Sequence, residues 1–436
     1  MSSTEEILEL RKKHFLAPIV HYYKKPLQLL RAKGIHVYDE KGKEYLDCIG
    51  GIVCISAGHN HPRIKEALRK MLDEDEIQHT TTLYLNRHST DLAKELIKEA
   101  PKGIDRVFFS NSGSEANEVA LMAARQSTGE TTVVNLRHSY HGCTSTALSH
   151  CGHSTWRYRA QPTAGVTSAL EPYCYRCPFN KKPESCDFEC AKNVETTIQT
   201  STHGKIAAFI AEPVMGVGGF ISPPKEYFTR VAKIVHNYGG KYISDEVQTG
   251  AGRCGGEYLL TKELEIDADM VTMAKGLGNG APIGAVMMKT EVSDTLGGKM
   301  FFNTFGSDPY QTLQARLSIE IIRDEKLIQN AKQMGAFLVE SIKTMSRTRK
   351  LIGDVRGRGL LLGVELVKNQ ETKEHASAET AELMELCRER GLLVGKGGLF
   401  GNVVRFAPPL TITRAQCEQA LKALDESLFE LEKRGV

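Results

Sequence analysis

The chain has no excess of charge of one sign. Over 436 residues, 56 Lys and Arg stand against 53 Asp and Glu, for a formal net charge of +3. That balance leaves no electrostatic footprint for nucleic acid or an anionic membrane. No apolar run approaches the roughly 18 residues of a membrane span. The start, Met1-Ser2-Ser3-Thr4-Glu5-Glu6, lacks the basic-then-apolar order of a secretory signal. Internal repeats and low-complexity tracts are missing, which argues against solenoids. No Ser/Gly-rich linker is present, so any second domain packs against the first. The Cys count, 11, is odd and spread over the whole length. With no export signal, reduced thiols and a cytoplasmic location are the expectation. What is present is ordinary for a soluble globular protein: 41% hydrophobic and 25% charged residues. A chain this long buries most of its unfolded surface without a disulfide scaffold.

The pattern along the chain is more specific. Residues 35–47 read as two short alternating runs around Glu40-Lys41-Gly42, a hairpin signal. After Pro62, Ile64, Leu68, Met71 and Leu72 follow helical spacing. Short apolar runs then alternate with helical stretches: Val107–Phe109, Thr132–Leu136, Ala207–Ala211, Lys241–Ser244 and Met270–Met273. Runs without a polar face suit strands buried on both sides, and their alternation with helices predicts a mostly parallel α/β sheet. Polar residues follow each run, where open α/β sheets bind ligands. Residues 313–350 read as continuously helical. Segments 355–366 and 402–407 look like strands of a smaller α+β unit, and 413–436 like an amphipathic helix. The expected domains are a large unit at 56–315 and a small one made of 316–436 and the N-terminal segment 1–55.

Three segments carry chemistry. Asn111-Ser112-Gly113-Ser114-Glu115-Ala116-Asn117 joins a strand to a helix. Small residues there let backbone N–H groups approach an anion at the helix start, though plain N-capping by Ser112 or Ser114 is the simpler alternative. The segment is neither a P-loop nor a Rossmann glycine motif. Asp245 ends an apolar strand, as a surface acid or as partner to a cationic ring nitrogen. Lys275 sits where a buried strand meets Gly276-Leu277-Gly278-Asn279-Gly280. A desolvated Lys forms a Schiff base with an aldehyde, whereas an exposed turn Lys has no such role. Together, an anion cradle, a strand-end acid and a strand-end Lys are the parts that pyridoxal phosphate requires.

The chain resembles the class III aminotransferases of pyridoxal-phosphate fold type I over about residues 15–430. The motifs that carry the resemblance are NSGSEANE (111–118), SYHG (139–142), AEPVMG (211–216), SDEVQTGAGRCG (244–255), TMAKGLGNGAPIGAV (272–286), NTFGSDP (303–309), VRGRGLLLGVEL (355–366) and VVRFAPPLTIT (403–413). Within the family it looks most like the alanine–glyoxylate (mitochondrial-type) and β-alanine–pyruvate branch. The resemblance implies a large, mostly parallel sheet domain with a smaller α+β domain, and transfer of an amino group from an amino acid, ω-amino acid or amine to a 2-oxo acid such as pyruvate or glyoxylate. It implies that Lys275 carries the cofactor and moves the proton, and that Asp245 pairs with the pyridine nitrogen. Ser112, Gly113 and Ser114 would bind phosphate. Tyr140 would stack on one ring face with His141 beside it, Val247 would pack on the other face, and Gln248 would reach the ring hydroxyl. Thr304 would reach the phosphate of a second subunit in a homodimer or a dimer of dimers. Arg405 would clamp the substrate carboxylate, and Glu212 would pair with Arg405 when the donor has none. Racemases, aminomutases, decarboxylases and phospho-lyases use the same scaffold.

Two features depart from the family pattern. Gly306-Ser307-Asp308-Pro309 replaces the usual Gly-Gly-Asn-Pro. An insertion at 172–190 carries Cys174, Cys177, Cys186 and Cys190. That spacing could form a structural zinc knuckle, and hence a binding module, but only one C-x₂-C is present. A Cys-bearing surface loop is the reading adopted, with no metal assigned. His59 and His61 are read as packing or turn residues.

Overall fold

The computed structural model describes residues 3–159 and 164–435. Its strands, in chain order, are β1 (Leu29–Lys33), β2 (His36–Asp39), β3 (Glu44–Asp47), β4 (Ile104–Ser110), β5 (Val133–Leu136), β6 (Val166–Ala169), β7 (Ala208–Ala211), β8 (Lys241–Asp245), β9 (Met270–Met273), β10 (Gly284–Lys289), β11 (Ile352–Arg358), β12 (Leu361–Leu366), β13 (Leu392–Leu393), β14 (Gly395–Gly397) and β15 (Val403–Phe406). Seven of them form one sheet in the order β4-β10-β9-β8-β7-β5-β6. β5, β7 and β9 are buried along their whole length, as runs without a polar face require. All pairings are parallel except those of β10, which runs antiparallel to both β4 and β9. The six other strands therefore share one direction.

The helix Gly113–Thr128 lies on this sheet. It buries Ala116, Val119, Ala120, Ala123 and Ala124, small residues that let the helix approach β9 and β10 closely. Gly129 in the left-handed conformation ends it.

Two smaller sheets complete the molecule. One has the order β1-β2-β3-β13 and joins the expected 35–47 hairpin to a C-terminal strand through the parallel pair β3–β13. The other has the order β11-β12-β15-β14. Here 355–366 is a hairpin rather than one strand. The long helical stretch is also interrupted: the helices Pro309–Asp324 and Leu327–Met345 are separated at Lys326, which adopts φ 54°. The last helix, Arg414–Lys433, opens with a full capping box between Thr413 and Gln416.

Candidate active site

The site is assembled at the carboxyl ends of the parallel strands. Ser112 follows β4, Tyr140 and His141 follow β5, Glu212 follows β7, Asp245 ends β8, and Lys275 comes two residues after β9. All of them line one cavity of about 720 Å³, together with Gly113, Ser114, Val247, Gln248 and Arg405. Lys275 has φ 45°, and Ile52, which also lines the cavity, has φ 74°. Left-handed backbone at a β-branched residue is strained, and such strain gathers where surrounding structure holds a functional geometry.

Asp245 is fixed from three sides. Its Oδ2 accepts from Asn117 Nδ2 at 2.8 Å and lies 2.8 Å from His141 Nδ1, and its Oδ1 accepts from the Val247 N–H at 3.1 Å. Asn117 is itself oriented: Nδ2 also donates to the His141 carbonyl at 2.7 Å, and Oδ1 accepts from Thr272 Oγ1 at 2.7 Å. His141 thus holds the acid. Asn117 and Thr272 had no assigned role in the sequence, although both lie inside the quoted motifs. Asn117 is one turn after Ser112 on a helix facing the sheet, and that offset was the available signal.

Burial in the cleft lowers the pKa of Lys275, against the opposing pull of Asp245, Cys54 and Glu212. This favours the neutral amine that attacks an aldehyde. The Glu212 carboxyl is pushed up to about 7, chiefly by burial and then by Asp245.

The helix Gly113–Thr128 begins at the cavity. Ser112 caps it by accepting from the Glu115 N–H, and the N–H groups of Gly113 and Ser114 lie in the first turn, beyond the reach of intrahelical acceptors. The capping reading therefore holds for Ser112, and it leaves these two N–H groups open to the anion of the other reading. A Cβ on Gly113 would come within 2.8 Å of Val247 Cγ2, and one on Gly142 within 2.6 Å of Ser114 Oγ. Gln248 Oε1 is buried without a protein partner. An anion cradle, a buried acid, a desolvated amine and an orphaned amide oxygen around one cavity fit pyridoxal phosphate.

Glu212, Arg405 and Thr304 take the following positions within the single chain. Glu212 makes no ion pair with Arg405. Its Oε1 accepts from the Tyr140 N–H at 3.0 Å and its Oε2 from the Gly216 N–H at 2.8 Å, so two backbone donors already occupy it. Arg405 instead donates from Nη1 to the Gly216 carbonyl at 3.2 Å. Thr304 is exposed and lies outside the cavity lining. Asp308, the unusual acid, is tied down: His79 Nδ1 lies 2.7 Å from its Oδ1, and the Thr80 N–H donates to the same oxygen at 3.3 Å.

Tyr22, Ile52 and Trp156 also line the cavity, and Trp156 meets the Tyr140 ring edge-on at 5.0 Å. Arg253, also unanticipated, is buried and donates to the carbonyls of Ile55, Leu360 and Pro408, joining three segments beneath the site. His59 pairs with Asp47 and His61 with Glu325, as packing residues. The four insertion cysteines line a separate cavity of about 230 Å³. Among the described residues no group of three or more His, Cys, Asp or Glu is arranged to hold a metal, and Cys186 Sγ donates to Glu189.

Fold and site together define a pyridoxal-phosphate enzyme of fold type I. The family described as "Aminotransferase class-III" matches residues 20–428, and the chain belongs to it. It is 38% identical over 427 residues to alanine–glyoxylate aminotransferase 2 homolog 2, mitochondrial, of Arabidopsis thaliana, covering 98% of this chain and 88% of that one. It is 33% identical over 439 residues to a leucine/methionine racemase of Thermococcus litoralis, covering 99% and 97%. Among solved structures, an (S)-enantioselective ω-transaminase from Thermomicrobium roseum superposes with a TM-score of 0.90 at 30% identity, covering 99% of each chain.

Proposed function

We propose that this aminotransferase moves nitrogen from alanine or a short ω-amino acid to pyruvate or glyoxylate. The observation that carries this reading is the convergence of Lys275, Asp245 and Arg405 on one cavity. Pyridoxal phosphate, when bound, supplies an electron sink for the substrate carbon. Every other part comes from the chain. Lys275 Nζ would hold the cofactor aldehyde and, once freed, would take the proton from the substrate carbon. Asp245, fixed by Asn117 and His141, would keep the ring nitrogen protonated. The start of the helix Gly113–Thr128 would bind the phosphate. Tyr140 and Val247 would flank the ring, and Gln248 would serve its hydroxyl. Arg405 takes the substrate carboxylate, where a guanidinium offers paired donors. The relative named as a racemase shares the proton-removal step, so racemisation is the second reading.

The active form in this reading is a homodimer in a reducing, cytoplasmic setting. Ile77, Leu83, Tyr84, Met300, Phe301, Phe302 and Phe305 are exposed on two neighbouring loops, linked by a His79–Phe305 ring contact and by an Asn86 bond to the Ser307 carbonyl. A second copy would cover this apolar surface and bring Thr304 to its phosphate site. The eleven cysteines are unpaired, as a reducing compartment would keep them. The two smaller sheets, built from 29–47 and 352–406, support the division into 56–315 and a small domain of 1–55 plus 316–436. An amino-donor panel with pyruvate, glyoxylate and 2-oxoglutarate tests the reading. Keto-acid-dependent consumption of alanine supports it, while exchange of L- for D-alanine without keto acid supports racemisation.

A further inference from the structure

We propose that Phe220 is a positioning residue that keeps the Arg405 guanidinium as a standing carboxylate clamp, so that both half-reactions select substrates bearing a carboxylate. This rests on the transaminase reading above. On the strands flanking β15, Arg405 faces Gly363 on one side and Gly395 on the other. A Cβ on Gly397 would lie 2.7 Å from Arg405 Cδ. The aliphatic stem therefore runs along a path cleared of side chains.

At its end, the guanidinium carbon sits 4.8 Å from the centre of the Phe220 ring, and Nη1 donates to the Gly216 carbonyl. Phe220 is fully buried and has φ 54°, uncommon for a bulky residue. The turn that imposes it is closed by the Gly219 and Phe220 N–H groups on the same Gly216 carbonyl, at 3.1 and 3.4 Å, and by a bridge between Met215 and Ile221. The ring thus supports the guanidinium from a fixed, desolvated position, where a cation–π contact is strongest.

Burial lowers the Arg405 pKa, and the Tyr22 and Glu212 charges oppose it only in part. Among the described residues no carboxylate reaches ion-pair distance of Arg405, and its Nε is buried without a hydrogen-bond partner. Glu212 is committed to the Tyr140 and Gly216 N–H groups. Releasing it to pair with Arg405 would free the peptide that positions Tyr140. A buried, unpaired guanidinium is costly, and a substrate carboxylate relieves that cost. An amine without one leaves it in place.

Half-reactions of the holoenzyme with β-alanine and with sec-butylamine, and calorimetric titration with the unreactive carboxylate propionate, test this. The wild type should prefer β-alanine by at least about a hundredfold in kcat/KM. Phe220→Leu should shrink that ratio about tenfold, through KM for β-alanine, and weaken propionate to a similar extent. Phe220→Tyr, which keeps the ring face, should restore both. Gly397→Ala, whose Cβ would lie 2.7 Å from Arg405 Cδ and 3.3 Å from the Val217 carbonyl of the same turn, should act like Phe220→Leu. A wild-type ratio below tenfold overturns the proposal. So does a Phe220→Leu variant that loses both donors equally and binds propionate as before. An enzyme that binds cofactor but exchanges nitrogen with neither donor overturns the transaminase reading itself.

Discussion

The division of labour between Asp245 and Lys275 rests on what surrounds each. Asp245 is held by an amide, an imidazole and a backbone N–H, so its position is imposed by Asn117 and His141 as much as by its own strand. Asp245→Asn should retain cofactor and lose at least a thousandfold in kcat, because a neutral amide no longer keeps the ring nitrogen protonated. A loss under tenfold, equivalent to about 1.4 kcal/mol of barrier, would point to another acid. Asn117→Ala should show a milder form of the same defect, in kcat more than KM. A second residue-scale expectation concerns acid stability. Burial lowers His150 and His153 from 6.5 to about 4. The unfolded chain then binds more protons than the native one between those values. Stability from these groups is complete above pH 6.5 and is lost as pH falls toward 4. His150→Gln should flatten the fall in Tm across that window; an unchanged slope would remove His150 from the account.

At the scale of elements, the start of the helix Gly113–Thr128 is the part with least room for change. A Cβ on Gly113 meets Val247, which is expected to pack against the cofactor ring. Gly113→Ala should weaken cofactor reconstitution at least tenfold with little change in Tm, measured by titrating the apoenzyme with pyridoxal phosphate. At the other end of the chain, Thr413→Ala removes one half of a capping box and should cost about 1 kcal/mol of stability, read by denaturant unfolding, with activity unchanged. The elements differed in how clearly the sequence announced them. β5, β7, β8 and β9 were legible because burial on both faces leaves no polar face along the run. β6 was not, since Val166-Thr167-Ser168 is half-polar at the sheet edge, bordered only by β5. β10 was hidden inside a motif read for its glycines. The break at Lys326 carries no Gly or Pro to mark it.

For the whole molecule, the exposed apolar loops around Phe301 and Leu83 are expected to be a subunit interface. Phe301→Asp should shift the protein toward monomer in sedimentation and reduce activity with it; a dimer of unchanged strength would place the interface elsewhere. Contacts of this range were also the least legible part of the site. Asp245 and Lys275 stood out locally, each at the end of a buried run. Asn117 reaching Asp245 across 128 residues did not, nor did Gly216 standing between Glu212 and Arg405. Such pairings depend on how helix, sheet and turn stack, which no local pattern encodes. The central claim is that Lys275 carries the cofactor and exchanges it with an amino donor. Borohydride reduction of the holoenzyme followed by peptide mass mapping tests it directly. The account predicts a pyridoxyl adduct on Lys275 alone, and its disappearance when excess alanine is added before reduction. An adduct on another lysine, or one on Lys275 that no amino donor displaces, would contradict it.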